Sequence, residues 1–148
     1  MRDSFEPILM TVRTVPNAVG HPGYSVTLRR EDTSADYARR LARIVLGTWG
    51  LDTLIDDAAL VVTELVANAI RHTDGNLIVV RLLRPAMALI RVEVVDGSPH
   101  APRIRETGPD DEHGRGLLLV NVLTSRWGTS TTPEGKVVWG ELTSEASA

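Results

Sequence analysis

The stretch Glu64-Leu65-Val66-Ala67-Asn68-Ala69-Ile70-Arg71-His72 constrains the fold of this chain more than any other. Glu64, Asn68 and His72 recur at intervals of four. On a helix of about 3.6 residues per turn they form one slowly turning stripe. Leu65, Val66, Ala69 and Ile70 take much of the remaining surface. Such a helix buries its apolar side and holds a carboxylate, an amide and an imidazole along one flank. Two readings fit the stretch alone: the wall of a cavity, and an ordinary amphipathic helix with a solvated polar stripe.

A chain of 148 residues is long enough to bury one sizeable core around that helix. Hydrophobic residues make up 43%, which is wrong for disorder and ordinary for a globular domain. The net charge is −3 with scattered Lys and Arg, so a basic nucleic-acid face is not expected. The chain has no cysteine, which removes disulfides, thiolate metal sites and cysteine nucleophiles. No apolar run approaches the roughly 18 to 20 residues that span a bilayer. The start MRDSFEPILM lacks a basic segment leading into a long apolar core. The expected location is cytoplasmic, with no membrane partner.

Residues 1–22 carry Pro7, Pro16, Gly20 and Pro22 and read as an N-terminal extension, in which Ile8, Leu9, Met10 and Val12 are candidates for a short edge strand or for packing on a partner. Tyr24 to Arg30 alternates and predicts a strand. Asp32-Thr33-Ser34 offers capping side chains for an amphipathic helix over 35–46. Asp52 is the expected N-cap of the next helix, about 53–72, with Asp56 and Asp57 early in it, where the dipole favours anions. Leu77 to Arg84 and Ala88 to Asp96 predict a hairpin. Residues 97–114 hold Pro99, Pro102, Pro109 and an acidic run, and read as a functional lid or a disordered loop. Gly114-Arg115-Gly116 then opens a short apolar helix, and 127–131 with 136–142 predict a second hairpin. The main domain spans 23–143, with a tail over 144–148. Three helices covering one face of a mostly antiparallel sheet satisfy this order.

Three groups of residues make sense beside a nucleotide. In the opening stripe, Asn68 offers an oxygen suited to Mg²⁺, which takes few protein ligands and completes its shell with phosphate and water. Glu64, one turn earlier, is placed to accept a proton from an attacking hydroxyl. His72 suits ribose or phosphate, and equally suits a plain helix C-terminus. The second group is Asp96, which ends an apolar strand. A buried carboxylate there needs a polar partner, and an adenine amino group is one; capping the turn into Gly97 is the alternative. The third is Gly114-Arg115-Gly116. Glycines let backbone N–H groups approach phosphate at a helix N-terminus, while a simple turn before a core helix also fits. The pattern matches neither the Walker nor the Rossmann fingerprint.

The ordered combination is more specific than its parts. Glu-x-x-x-Asn on a helix, a strand-ending Asp, a lid and then Gly-x-Gly-Leu resembles the Bergerat ATP-binding fold of the gyrase and histidine-kinase superfamily. ELVANAIRH, VVDGSP and GRGLLLVNVLTSRWG are similar to the anti-sigma-factor serine kinase group within it. The resemblance covers about residues 24–142. It implies an α+β fold: a two-layer α/β sandwich with a mostly antiparallel mixed sheet, three helices on one face and an ATP lid. It also implies ATP and Mg²⁺ as ligands, Asn68 on the metal, Glu64 as general base and Asp96 on the adenine amino group. His72, Ser98, Gly114, Arg115, Gly116 and Leu117 complete the implied ATP-binding set.

The resemblance further implies a sigma factor or an anti-sigma-factor antagonist as partner, phosphorylation of a serine or threonine on that antagonist, and a homodimer. A binding module that keeps the fold and has lost catalysis is the alternative. Two departures bear on it. Ser98 and His100 stand where the first glycine box carries two glycines. Many relatives also carry a threonine in the last hairpin that meets adenine through water, and Val137 is the matching position here.

Overall fold

Burial alternates along the strands, and that alternation builds a sheet with one face turned to helices. The computed structural model describes residues 12–14, 22–72, 75–96, 112–133 and 135–144. In chain order these form β1 (Val12–Thr14), β2 (Gly23–Arg29), α1 (Asp32–Thr48), a single 3-10 turn (Asp52–Leu54), α2 (Ile55–His72), β3 (Leu77–Ala86), β4 (Leu89–Asp96), α3 (Glu112–Leu123), β5 (Arg126–Thr132) and β6 (Gly135–Thr143). The six strands lie in the order β1-β2-β3-β4-β6-β5. Every described pairing is antiparallel, so no mixed pairing occurs among the described residues.

The two-layer sandwich expected from the sequence is present. Val26, Leu28, Ile78, Val80, Leu82, Ile90, Val92, Val94, Val138 and Leu142 form the sheet side of the core. Ala38, Ala42 and Leu46 of α1, Val61, Leu65, Val66 and Ala69 of α2, and Val120 of α3 cover them. α2 lies centrally over β4, with α1 on one flank and α3 on the other. Gly140 makes the close approach possible: a Cβ there would stand 3.0 Å from the Thr124 methyl and 3.5 Å from Val61.

The strands and helices fall where periodicity puts them, but their ends differ. α1 begins at Asp32, and its N-cap Glu31 makes no side-chain cap. Ser34, expected to cap, instead donates from Oγ to the Arg29 carbonyl at 2.6 Å. Asp52 is not an N-cap either; it opens the 3-10 turn that precedes α2. α1 ends in a Schellman arrangement. Gly50 adopts φ 73 and donates to Gly47 O, while Leu51 donates to Leu46 O at 2.9 Å. Leu51 and Leu46 then bury together in the core.

β1 is the edge strand that the N-terminal extension supplies, at Val12–Thr14, paired with Val26 to Tyr24. The rest of residues 1–21 and the tail 145–148 lie outside the described residues.

Candidate functional site

Connectivity brings the sequence-derived residues to one end of the sheet. β4 ends at Asp96, which stands opposite Ile78 near the start of β3 and Lys136 near the start of β6. α2 ends at His72, a few residues before β3 begins at Leu77. The C-terminal half of α2 therefore lies over the Asp96 end. α3 carries its C-terminus to the opposite end, where Ser125 N–H donates to Glu141 O at 2.7 Å, and its first turns lead back from there.

On α2 the apolar residues are deeply placed: Val61, Val62, Leu65 and Val66 have no exposure. Glu64 and Asn68 sit half-buried on the boundary of that face, and His72 is exposed at the helix end. The stripe therefore rises out of the core as it approaches the C-terminus. Two of its three polar groups border the interior, and the third stands in solvent.

Arg30 fixes this end of α2. Its Nε donates to Gly75 O at 2.7 Å and its Nη1 to Ile70 O at 3.3 Å. Its backbone N–H donates to Asn76 O at 2.8 Å. A guanidinium satisfying a carbonyl of the last helical turn, at Ile70, also complements the negative end of the dipole. By sequence Arg30 is only the end of a strand, because its partners lie 45 and 40 residues away.

Asp96 is 3% exposed. Val92 and Val94 precede it on the helix-facing side, so strand alternation sends the Asp96 side chain beneath α2. A carboxylate this deep is sustained only by polar partners. Val137, the position expected to face adenine, does not face the helices. It pairs with Val95 across the β4–β6 ladder, and both lie outside the helix-packed core while Val94 and Val138 lie within it. On β6, Lys136, Val138 and Leu142 share the face of Asp96, with Lys136 and Val138 nearest to it.

Gly114, Arg115 and Gly116 do not precede the helix. α3 starts at Glu112, so Gly114 and Arg115 belong to its first turn, where backbone N–H groups have no intrahelical acceptor. Leu117 follows, half-buried. The Arg115 side chain, Ser98, His100 and the lid residues 97–111 lie outside the described residues. Among the described residues no cluster of three or more His, Asp or Glu is placed to hold a metal. A cation on Asn68 would draw its remaining ligands from phosphate and water, which fits Mg²⁺. Among the described residues no helix is long and apolar enough to cross a membrane.

A search of curated proteins finds no match. The family model of the histidine kinase-like ATPase domain matches residues 28–140. That span includes α2, Asp96, α3, β5 and β6 as far as Gly140. The chain therefore belongs to the histidine kinase-like ATPase domain family.

Proposed function

We propose that the protein binds Mg²⁺–ATP at the Asp96 end of the sheet and acts as a regulator of the anti-sigma-factor kind. In this role it phosphorylates a serine or threonine on an antagonist protein. The observation that carries the reading is a carboxylate buried at the end of β4 beneath the half of α2 that bears Glu64 and Asn68.

The residues fit the ligand by their chemistry. Asp96 accepts from the exocyclic amino group of adenine. The first-turn N–H groups of α3 suit phosphate. Asn68 supplies an oxygen ligand for Mg²⁺, which when bound neutralises phosphate charge. Glu64 takes the proton of the attacking hydroxyl as its oxygen bonds to the γ-phosphorus and the bond to the β-phosphate oxygen breaks, releasing ADP. The protein's own share of the reaction is positioning and electrostatics.

A second reading, a partner-binding module without catalysis, is favoured by one observation: β6 offers Lys136 and Val138 to the site instead of a threonine. Transfer of labelled γ-phosphate to a panel of candidate antagonists separates the two. Transfer that falls by at least about a hundredfold in Glu64→Gln supports the kinase. Nucleotide binding with no transfer to any substrate in the panel supports the module. The proposed homodimer is checked by light scattering during size-exclusion chromatography.

A further inference from the structure

Asp96 and Lys136 are direct cross-strand partners in the β4–β6 ladder. Parity puts both on the same side. Val92 and Val94 lead to Asp96 on the helix-facing side, and Val138 and Leu142 share that side with Lys136. Neighbouring strands are about 4.8 Å apart, so a lysine stem leaving β6 starts beside the buried carboxylate. Lys136 is half-buried. Its other ladder neighbour, Thr131 on β5, lies on the same side of the sheet. Asp96 can only accept a hydrogen bond while ionised, and the Lys136 ammonium can only donate. Together they present an acceptor and a donor side by side, which is the complement of a donor and an acceptor side by side. The 6-amino group of adenine, with a ring nitrogen next to it, is such an edge.

We propose that Lys136 is a specificity-determining residue of the nucleotide site, its ammonium donating to the ring nitrogen that flanks the 6-amino group accepted by Asp96. The inference rests on the nucleotide-binding reading above. It gives the end of β6 beside Asp96, where Lys136 and Val138 share the face, a charged donor that acts directly on the base. Lysine has the reach for this because its apolar stem can lie along the sheet while its head group meets the ligand.

The test is a calorimetric titration of the full chain and of Lys136→Met with ATP, 1-deaza-ATP, 7-deaza-ATP and GTP, all with Mg²⁺. Lys136→Met keeps the stem and removes the charge, and Lys136→Gln serves as a second variant that keeps a neutral donor. Unchanged thermal unfolding without nucleotide establishes that the variants fold. The expected result is an ATP affinity about tenfold or more weaker in Lys136→Met, with Lys136→Gln between it and wild type. One deaza analogue, lacking the contacted nitrogen, binds wild type and Lys136→Met alike. Equal or tighter ATP binding by Lys136→Met would mean that the lysine only neutralises Asp96, and would overturn the proposal. So would deaza analogues that are weakened equally in both proteins, or GTP bound more tightly than ATP by wild type. If wild type binds no nucleotide at all, the nucleotide reading itself falls, and this proposal falls with it.

Discussion

Arg126 holds one carboxylate oxygen of Glu141 through both Nε and Nη2, at 3.0 and 2.8 Å. Arg91 donates to the other oxygen at 2.9 Å and to Glu93 at 2.8 Å. Arg81 extends the chain of charges to β3, 3.6 Å from Glu93. This network crosses the sheet on the face turned away from the helices. Trp139 packs within it, its ring crossing Gly128, where a Cβ would stand 3.0 Å away, and Arg91 covers the ring at 4.2 Å from its centroid. Arginine stacked on an aromatic and forked onto carboxylates covers that face without a second helical layer.

The network predicts a pH dependence of stability. Burial pushes the Glu141 carboxyl up, but hydrogen bonds and charge from Arg126 and Arg91 outweigh it and hold the group below its ordinary value of 4.5. A depressed carboxylate stabilises the fold fully above the unfolded-state value and loses that contribution as pH falls through the lower folded value. Glu141→Gln should therefore cost about 1–3 kcal/mol at neutral pH. In urea unfolding across pH, the gap between wild type and variant should close below 4.5. A gap that stays constant down to strongly acid pH would show that the carboxylate charge is not responsible.

Gly140 sets how closely α2 approaches the sheet. A Cβ at this position already stands 3.0 Å from Thr124 and 3.5 Å from Val61, and γ-branches would press further into both. Gly140→Val is expected to destabilise the protein by about 1–3 kcal/mol through overpacking, seen as a lowered Tm. The same substitution at Gly47, where an added Cβ meets nothing within 4 Å, should have a much smaller effect on packing.

The layers of this fold were readable from periodicity, and so were the two hairpins and the central helix. Alternating apolar residues at 78, 80 and 82 and at 90, 92 and 94 mark the face that the helices cover. What a single sequence does not carry is the registration between elements. Val137 is one residue from a position that faces the helices, and only its pairing with Val95 shows that it points away. Asp52 and Ser34 are good capping residues by type, yet the chain begins its helices elsewhere and uses the Ser34 hydroxyl to accommodate Arg29. Two glycines in Gly114-Arg115-Gly116 suit the opening of a helix, yet α3 already begins at Glu112 and runs through them. Arg30 left no local signal, because a helix end held by an arginine from another element looks like any surface arginine.

Arg30 supplies a prediction of its own. Its guanidinium satisfies carbonyls at Ile70 and Gly75, so Arg30→Ala should loosen the last turn of α2 at a cost of about 1 kcal/mol. Amide exchange should speed up in the last turn of α2 more than at its centre around Leu65. Arg30→Lys should rescue little, since an ammonium lacks the forked donor geometry. Uniform acceleration of exchange along the whole helix would indicate global destabilisation instead of a lost clamp.

The proposed site is a Mg²⁺–ATP cavity walled by α2 and Asp96, with Asn68 on the metal. The measurement that addresses it most directly is a calorimetric titration of ATP, with and without Mg²⁺, into wild type and Asn68→Ala. Mg²⁺ should strengthen ATP binding by wild type about tenfold or more, and Asn68→Ala should keep the Mg²⁺-free affinity while losing most of the gain. Absence of ATP binding by wild type at millimolar nucleotide, or a Mg²⁺ effect undiminished in Asn68→Ala, would contradict it.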